Sequence, residues 1–547
     1  MGRGRMGGER RAVKVLDVAV RAFPGGPPVL RPAGAHRGMT RSLPGGSVPG
    51  DMRRVPSASL LLVALLTLPG CFHAKRPEGT ATTLPALAHG LIETLEAEGA
   101  LASAYVADAA TGEPLFTHRE HMRLLPASTL KVVSTAALLS ALGPDYRFQT
   151  PVALEGTLDG GLFLGDVVVD TAGDPSLGSW RFPETALACE QVADAMQGRG
   201  IRQWRGQVRV RGARDAEFPF GPGWAWDDAA YAYSAAPTAF VFRENVVDVT
   251  LSRSDGADCA QPPAVQVAPA FASLTAVVSV DTNAERPTLA CVRQRGGPGV
   301  RCLWRSPATT CPRTAAVRLS VDEPEQLFSA CVEAALLKRD IPRLPLTLEA
   351  PTAQGPQVPA PLVTLVSPPL SELVKVTNKE SLNLYAERLG LRFARELTGA
   401  ESYAALRTAL SAELTRRGIP SRDLRPVDGS GLSRYNLATA RGLVAVLLSS
   451  LREPYGAALV DSLPVAGQDG TLAGRPVTAD TAGRIRAKTG TLSGQRSFVG
   501  VVDRPGDARH PRVVFALMLG NMDDGTALPA NVAFDRFVEG LVTLPLR

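Results

Sequence analysis

The sequence predicts a mixed α/β (α+β) fold in which a long, mostly β insertion splits one domain into two parts. Residues 85–147 combine a helical apolar pattern with two short strands and a second, strong helix. Short β-branched runs separated by turn residues occupy residues 148–365. Helical and mixed patterns return in residues 366–547. The chain of 547 residues is too long for one compact core, so two or three domains are expected.

The two flanking parts contain the clearest elements. "ALAHGLIETLEAEGA" predicts a helix, and "ASAYVADAATGEPLFTH" predicts two strands that turn at Ala110-Thr111-Gly112. "STLKVVSTAALLSALG" predicts a helix that begins after Pro126 and ends at Gly143-Pro144. After the insertion, "LNLYAERLGLRFAREL", "ATARGLVAVLLSSLRE" and "NVAFDRFVEGLVTL" predict helices, and "RVVFALMLGN" predicts a buried strand. "RIRAKTGTLSGQRSFVGVVDR" predicts a hairpin that turns near Ser493-Gly494.

The insertion contains strand patterns such as "QVRVRG" and "VVDVTLS", together with six cysteines. An even number of cysteines in an exported protein predicts up to three disulfides, and about fifteen pairings are possible. Three of the six lie so close together that we expect at least one local bridge. None forms a Cys-x-x-Cys pair, so zinc is not predicted. The six are Cys189, Cys259, Cys291, Cys302, Cys311 and Cys331.

The segment "MRRVPSASLLLVALLTLPGC", residues 52–71, has the anatomy of a signal peptide. Arg53 and Arg54 precede an apolar run that is too short to remain as a membrane span. Its end, "LPGC", resembles the lipobox of bacterial lipoproteins, which implies lipidation of Cys71 after cleavage. A plain secretory signal is the alternative, whereas the flanking Arg-Arg and Pro-Gly-Cys argue against a core helix. Residues 72–84 are expected to form a tether.

Residues 1–51 are rich in Arg, Gly and Pro and have no sustained apolar period. We expect translation to start at Met52 and these residues to be non-native; a disordered extension is the alternative. The first 70 residues hold eleven Lys/Arg and three Asp/Glu, a net charge of +8. Because the whole chain carries +6, the remainder carries −2. Nucleic-acid binding is therefore not predicted.

Ser128 and Lys131 form a candidate nucleophile and base at the start of the strong helix. Residues three apart share a helix face, and the first turn has free backbone N–H groups. Lys131 would act as a base only if burial or a second cation lowers its pKa. The alternative is a helix start with a surface lysine.

Two further short motifs carry polar groups suited to catalysis. Lys488-Thr489-Gly490-Thr491 lies in a predicted strand whose edge could pair with an extended substrate and bind its carboxylate. Ser381-Leu382-Asn383 opens a predicted helix and could place a hydroxyl and an amide in one cleft. Taken singly, the first could be a plain surface hairpin and the second a helix cap.

Together, Ser-x-x-Lys, Ser-x-Asn and Lys-Thr-Gly in this order form the signature of serine penicillin-recognising enzymes. The long gap between Ser128 and Ser381 resembles the D-alanyl-D-alanine carboxypeptidase/endopeptidase family, the class C low-molecular-mass penicillin-binding proteins. "GDPSL", "RENVVDVTL", "DGSGLSRYN" and "LPVAGQDGTLAGR" extend the resemblance over most of residues 85–547. Leu382 stands where family members often carry a polar residue, and we expect it to tune activity. The resemblance implies a penicillin-binding transpeptidase-like or β-lactamase-like domain.

The resemblance also implies a mechanism on peptidoglycan stem peptides. Ser128 would attack the carbonyl between two D-alanines, with Lys131 as base. Lys488 would help to keep Lys131 neutral, Ser381 would pass a proton to the leaving amine, and Asn383 would position the peptide. Penicillin would acylate Ser128 and leave slowly, which makes β-lactams covalent inhibitors.

The Lys-Thr-Gly strand has an implied role in binding. The backbone N–H groups of Ser128 and Thr491 would form the oxyanion hole, Gly490 would let substrate approach, and the Thr489 and Thr491 hydroxyls would bind the substrate carboxylate. No metal or other cofactor is required. His118 and His121 are expected to be solvated polar residues, because "HREH" is not a His-Glu-x-x-His motif.

Ser430 of "DGSG" is expected in a structural loop that lines the cleft, since it lacks the Gly-x-Ser-x-Gly context of an esterase. Two other functions are kept as alternatives: a β-lactamase, and a non-catalytic lipoprotein that binds the cell wall. The expected location is the periplasm, with a lipid anchor in the membrane. The sequence leaves open the balance of carboxypeptidase and endopeptidase activity, the oligomeric state and the choice of inner or outer membrane.

Overall fold

The computed structural model describes residues 81–212, 220–272, 274–294, 299–346, 361–523 and 527–547. The predictions for residues 1–51, for the signal segment with Cys71 and for most of the tether lie outside the described residues. Helices of the described chain are α1 (Leu84–Ala97), α2 (Lys131–Leu142), α3 (Pro183–Ala186), α4 (Ala188–Gly198), α5 (Pro324–Leu337), α6 (Leu370–Lys379), α7 (Asn383–Thr398), α8 (Tyr403–Arg416), α9 (Ala440–Leu451), α10 (Gly456–Ser462) and α11 (Ala527–Thr543).

The strands of the described chain occur on both sides of the insertion and within it. They are β1 (Leu101–Asp108), β2 (Pro114–His118), β3 (Gln149–Asp159), β4 (Leu162–Asp170), β5 (Gln203–Arg205), β6 (Val208–Arg211), β7 (Val246–Ser252), β8 (Ala264–Ala268), β9 (Ala276–Asp281), β10 (Asn283–Arg293), β11 (Val300–Pro307), β12 (Thr314–Ser320), β13 (Val363–Val366), β14 (Leu424–Arg425), β15 (Leu437–Ala438), β16 (Ile485–Leu492), β17 (Gln495–Asp503) and β18 (Arg512–Gly520). The mixed fold predicted from the sequence is confirmed.

A five-stranded antiparallel sheet joins the two ends of the chain. Its order is β16-β17-β18-β1-β2, so the early strand β1 pairs with the late strand β18, with Tyr105 opposite Ala516. The predicted hairpin is confirmed: β16 and β17 turn at Ser493-Gly494, where Gly494 adopts a φ of 70°. Helices cover both faces, which explains why β18 is apolar at nearly every position.

On one face of this sheet, α1 and α11 pack together, and on the other lies a group of helices around α2. Every residue of α2 from Lys131 to Leu139 is buried. A helix that is buried on all sides must be apolar on all sides, as "KVVSTAALLSAL" is apart from its lysine and small hydroxyls. The lysine is therefore the exceptional residue of the core helix.

The insertion is built on one five-stranded sheet, two three-stranded sheets and two main helices. One sheet has the order β13-β3-β4-β5, with β6 also paired to β4, and it shares a core with α4 and α5. The disulfide Cys189–Cys331 joins these two helices. Two three-stranded sheets, β10-β11-β9 and β12-β7-β8, share another core.

The remaining disulfides lie in the part of the insertion that holds the two small sheets. Cys259 is bonded to Cys311, and Cys291 is bonded to Cys302, its direct partner across β10 and β11. The expected local bridge is thus confirmed, and with Cys189–Cys331 all six cysteines are paired.

The insertion begins and ends in one place. β13 returns beside β3, and Phe148 and Ser367 hydrogen-bond twice: Phe148 N donates to Ser367 Oγ (2.9 Å), and Ser367 N donates to the Phe148 oxygen (3.0 Å). The domain boundaries at residues 147/148 and 365/366 stay a prediction.

Candidate active site

Ser128 lies in a tight turn at the entrance to α2. A 3-10 helix, Ala127–Leu130, leads directly into the α-helix at Lys131. The predicted helix after Pro126 therefore exists, but its first turn is of the 3-10 type. Lys131 Nζ lies 3.0 Å from Ser128 Oγ. The i, i+3 spacing has placed the amine against the hydroxyl, as expected.

Lys131 is fully buried, and its amine contacts three oxygen atoms. Besides Ser128 Oγ, Nζ lies 2.5 Å from Asn383 Oδ1 and 2.8 Å from the Ser430 carbonyl oxygen. Burial lowers the pKa of Lys131 to about 7, although the nearby carboxyls of Glu387 and Asp428 act in the opposite direction. A neutral amine has two N–H groups and one lone pair. With two N–H groups donating to Asn383 and Ser430, its lone pair can accept the Ser128 O–H.

Lys488 is the second buried amine of the site. Its Nζ donates to Ser381 Oγ (3.0 Å) and to the Thr489 carbonyl oxygen (2.8 Å). Burial, and next the charge on Lys131, hold the pKa of Lys488 well below its usual value. A positive charge on one buried amine disfavours protonation of its neighbour. Burial is nevertheless the largest cause of the lowered pKa for both lysines.

The Ser-x-Asn motif lies between α6 and α7. Ser381 adopts a left-handed φ of 59°, and such strain costs on the order of 1–3 kcal/mol for a residue other than glycine. Asn383 begins α7, where its Nδ2 donates to the Tyr233 carbonyl oxygen of the insertion (2.7 Å). Leu382 packs against the main core, which is a reason for an apolar residue at this position.

The Lys-Thr-Gly motif lies on β16, the edge strand of the five-stranded sheet. Ser128, Ser381, Asn383, Thr489 and Thr491 line one cavity of about 580 Å³. The cavity brings together five of the predicted residues. Lys131 and Lys488 lie buried behind them, and Gly490 lies where β16 meets the Ser128 turn.

Two acids and a backbone carbonyl that the sequence motifs do not indicate lie behind Lys131. The acids are Glu387 and Asp428, both fully buried, and the carbonyl belongs to Ser430. The "DGSG" loop does border the cavity, through Gly431, and the Ser430 side chain is buried. Glu387 follows Asn383 by one helical turn, a spacing that could have flagged it.

The insertion also contributes to the cavity. Asp228 and Tyr233 line it beside Arg434. No local pattern in the sequence places insertion residues at the Ser128 cavity, because the contact spans distant parts of the chain.

Within the described residues, no helix has the length and apolar character needed to cross a membrane.

The two histidines noted in the sequence lie away from these residues. His118 Nε2 lies 3.2 Å from Glu96 Oε1, and the His121 side chain is exposed beside Glu120. In the parts of the chain that the structure describes, no group of His, Cys, Asp or Glu is arranged to hold a metal ion.

Comparison with known proteins identifies relatives that match most of the described chain. The D-Ala-D-Ala carboxypeptidase 3 (S13) family matches residues 86–540. A D-alanyl-D-alanine carboxypeptidase of Actinomadura sp. strain R39 is 31% identical over 477 residues, which cover 83% of this chain and 85% of that protein. Carboxypeptidase DacB of Mycolicibacterium smegmatis is 28% identical, covering 76% of this chain and 75% of that protein.

The fold also has a solved counterpart. The crystal structure of penicillin binding protein 4 (dacB) from Haemophilus influenzae superposes with a TM-score of 0.68 at 23% identity, over 83% of this chain and 98% of that one. The resemblance inferred from the motifs is thereby confirmed. The chain belongs to the D-Ala-D-Ala carboxypeptidase 3 (S13) family.

Proposed function

We propose that the protein is a serine-type D-alanyl-D-alanine carboxypeptidase that acts on peptidoglycan stem peptides through an acyl-enzyme on Ser128. One observation carries the proposal: a buried lysine with a pKa lowered to about 7 lies 3.0 Å from a serine hydroxyl that opens on a cavity. A lysine of this kind can accept a proton near neutral pH, which an exposed lysine cannot.

In the acylation step, Ser128 Oγ attacks the carbonyl carbon between the two D-alanines while its proton passes to Lys131 Nζ. The Ser128 turn lies beside the β16 edge, and the N–H groups of Ser128 and Thr491 are the proposed donors to the oxyanion. Loss of one such donor typically costs about 2.7–4 kcal/mol in the barrier. Collapse of the tetrahedral intermediate forms the ester and releases D-alanine.

The leaving amine needs a proton, and Ser381 and Lys488 provide the proposed route. Ser381 Oγ lies 3.0 Å from Lys488 Nζ and lines the cavity. The Thr489 and Thr491 hydroxyls would bind the terminal carboxylate of the substrate, and a carboxylate bound there would favour the protonated, positively charged form of Lys488. When the proton that Lys131 took from Ser128 has passed on to the leaving amine, Lys131 is neutral again. It then accepts a proton from the water that hydrolyses the acyl-enzyme and returns it to Ser128 Oγ as the ester breaks. Each of these steps uses side chains and backbone groups of this chain.

Asn383 has a proposed role in orienting both the base and the peptide. Its Oδ1 accepts from Lys131, and its Nδ2 donates to the Tyr233 carbonyl oxygen. Both polar atoms are thus engaged in the structure. Nδ2 has two N–H groups, so the second one can donate to a substrate carbonyl while the first keeps its contact with Tyr233.

Removal of a terminal D-alanine and cleavage of a cross-link use the same chemistry and differ in what occupies the leaving-group side of the cavity. The proposal therefore includes D,D-endopeptidase activity. A β-lactam would acylate Ser128 by the same route. A β-lactamase would turn over that adduct in milliseconds, whereas we expect a long-lived adduct.

We also propose that the protein acts outside the cytoplasm, in the periplasm, as a lipoprotein anchored through Cys71. Three disulfides support an oxidising compartment. The anchor rests on the lipobox-like sequence alone. Metabolic labelling with a lipid precursor, compared with Cys71→Ala, tests it.

The catalytic proposal is tested by labelling with a fluorescent penicillin. The wild-type protein and Ser421→Ala, which alters an exposed serine, should label equally. Ser128→Ala should not label. Digestion of purified peptidoglycan, with products identified by mass, should show loss of D-alanine only with the first two proteins. A Ser128→Ala variant that labels like wild type would overturn the proposal, and so would an unlabelled wild-type protein.

A further inference from the structure

Two buried carboxyl groups lie behind the candidate base and have no part in the proton route described above. Glu387 belongs to α7, and Asp428 begins the loop Asp428–Gly431. Neither side chain is exposed. Because a buried carboxyl is costly to desolvate, its hydrogen-bond partners indicate what it does.

Glu387 holds the loop that contacts Lys131. The Ser430 N–H donates to Glu387 Oε1 (2.7 Å), and the Gly429 N–H lies 3.2 and 3.1 Å from its two carboxyl oxygens. The carbonyl of the same Ser430 accepts from Lys131 Nζ (2.8 Å). Ser430 therefore links the two side chains: its N–H donates to Glu387, and its carbonyl accepts from Lys131.

The geometry of α7 places Glu387 in this position. Asn383 and Glu387 are one helical turn apart, and Asn383 contacts Lys131 directly. The loop lies directly on the helix, since a Cβ on Gly429 would fall 2.5 Å from the Ala386 carbonyl oxygen. Two residues on one face of α7 thus act on Lys131. Asn383 contacts it directly through its side-chain amide, and Glu387 acts through the loop.

Asp428 fixes the other side of the loop. Its carboxylate accepts from the N–H groups of Gly431 (2.9 Å) and Ser433 (2.6 Å), from Asn436 Nδ2 (2.8 Å) and from Trp224 Nε1 (3.0 Å). All four partners are donors, as an ionised carboxylate requires. The loop is therefore held between two acids.

The charged and titratable groups around Glu387 come from four other elements and from α7 itself. Lys131 and Lys488 lie on α2 and β16, Asp428 on the loop, Tyr403 on α8, and Arg388 beside Glu387 is paired with Glu401. Burial and then Asp428 raise the pKa of Glu387 to about 8, and burial followed by Glu387 and Asp428 raises the pKa of Tyr403. Both acids raise the pKa of Lys131 against the effect of burial.

We propose that Glu387 is a positioning residue for the Lys131 base, acting through the Ser430 peptide. This inference rests on the proposed function. In the step concerned, the proton moves from Ser128 Oγ to Lys131 Nζ as Oγ bonds to the carbonyl carbon, so the base gains one positive charge. The Ser430 carbonyl, held in place by the contacts of the Gly429 and Ser430 N–H groups to Glu387, orients Nζ for that proton transfer.

The test compares Glu387→Gln, Glu387→Ala and the control Glu396→Gln in the full chain. Glu396 lies on the same helix but is exposed and paired with Arg392. The second-order rate of Ser128 acylation by a fluorescent penicillin is measured from about pH 5 to about pH 9, where general-base catalysis reports the pKa of the free base. Thermal unfolding is followed for each variant.

Glu387→Gln keeps one oxygen acceptor for the Gly429 and Ser430 N–H groups. We expect its acylation rate to stay close to that of wild type at low pH, where the wild-type carboxyl is itself protonated. Glu387→Ala removes the acceptor, and its acylation rate should fall by on the order of 10–100-fold, the effect of leaving one buried donor without a partner. The saturating concentration of penicillin should change little, and Glu396→Gln should follow wild type.

The inference is overturned if Glu387→Ala acylates Ser128 as fast as Glu396→Gln, or if Glu387→Gln is as slow as Glu387→Ala. It is also overturned if the loss in Glu387→Ala matches its unfolded fraction. If Glu387→Ala does not fold, Glu387→Asp, whose carboxyl is one methylene shorter, takes its place in the same comparison with Glu387→Gln. A wild-type protein that does not label would instead reject the proposed function, so the two failures are distinguishable.

Discussion

Gly490 lies against the turn that carries Ser128: a Cβ built on Gly490 would fall 3.0 Å from the Ser128 nitrogen. The same position would be 2.6 Å from the Pro126 carbonyl oxygen and 2.2 Å from Ser497 Oγ. The edge strand therefore approaches the nucleophile's backbone more closely than any side chain allows. The distance between Ser128 and the β16 edge is set by the absence of a side chain at this residue.

Gly490→Ala should push β16 away from the Ser128 turn. Since a displacement of about 1 Å can cost on the order of 10²-fold in rate, we expect penicillin acylation to slow by about that factor. The control is Gly506→Ala, where an added Cβ meets no atom within 4 Å. Stopped-flow labelling measures both rates. Equal rates for the two variants would contradict this account of Gly490.

Acylation should depend on pH through Lys131. Only the neutral amine accepts a proton, and its pKa is lowered to about 7. Below that pH the fraction of neutral amine falls about tenfold per pH unit, so the rate constant should fall with it. The profile is measured with a penicillin at concentrations far below saturation. A rate that stays flat from about pH 5 to about pH 8 would exclude Lys131 as the base.

Asn383→Asp should move the low-pH limb of the same pH–rate profile to higher pH. A carboxylate would replace the amide oxygen that lies 2.5 Å from Lys131 Nζ, and an adjacent opposite charge raises the pKa of a lysine by about 1–3 units. Acylation at neutral pH should slow, and part of the rate should return at alkaline pH. The matched control is Asn283→Asp, on an exposed position of the insertion. No alkaline recovery would mean that the loss comes from another cause, such as the broken contact to Tyr233.

Two of the three disulfides should differ in their contribution to stability, because they close loops of very different length. Cys189–Cys331 closes a loop of 142 residues, and Cys291–Cys302 closes one of 11. Chain entropy then predicts a loss of about 5 kcal/mol in the free energy of unfolding when the first pair is replaced by alanines, and about 3 kcal/mol for the second. Urea unfolding of the two double variants measures this. The reverse order would show that loop length does not control their effects.

Short-range features of the site could be predicted from the sequence because they depend on neighbours along the chain. Ser128 and Lys131 meet because of helical spacing, and the hairpin at Ser493-Gly494 follows from its turn residues. The three motifs could be assembled only by their resemblance to a family. Their mutual geometry then had to come from the structure.

Long-range partners could not be predicted in this way. Glu387 acts on Lys131 through a loop that lies further along the chain. Asn383 donates to a backbone carbonyl of the insertion, and a backbone carbonyl carries no sequence signal. The depression of the Lys131 pKa depends on complete burial, which is a property of the assembled core. The sequence indicated the need for a neutral lysine, with burial or a second cation as the cause, but not that burial is the larger of the two.

The pairing of β1 with β18 has a consequence for how the chain folds. Tyr105 meets Ala516 only after on the order of 400 further residues have been made. Contacts of such high sequence separation form slowly, because a long loop must close before they contribute. The main sheet cannot be complete while the chain is still emerging, and a protein truncated before β18 would leave the edge of β1 open to aggregation. Ser128 is made early, but the sheet whose edge faces it is finished last.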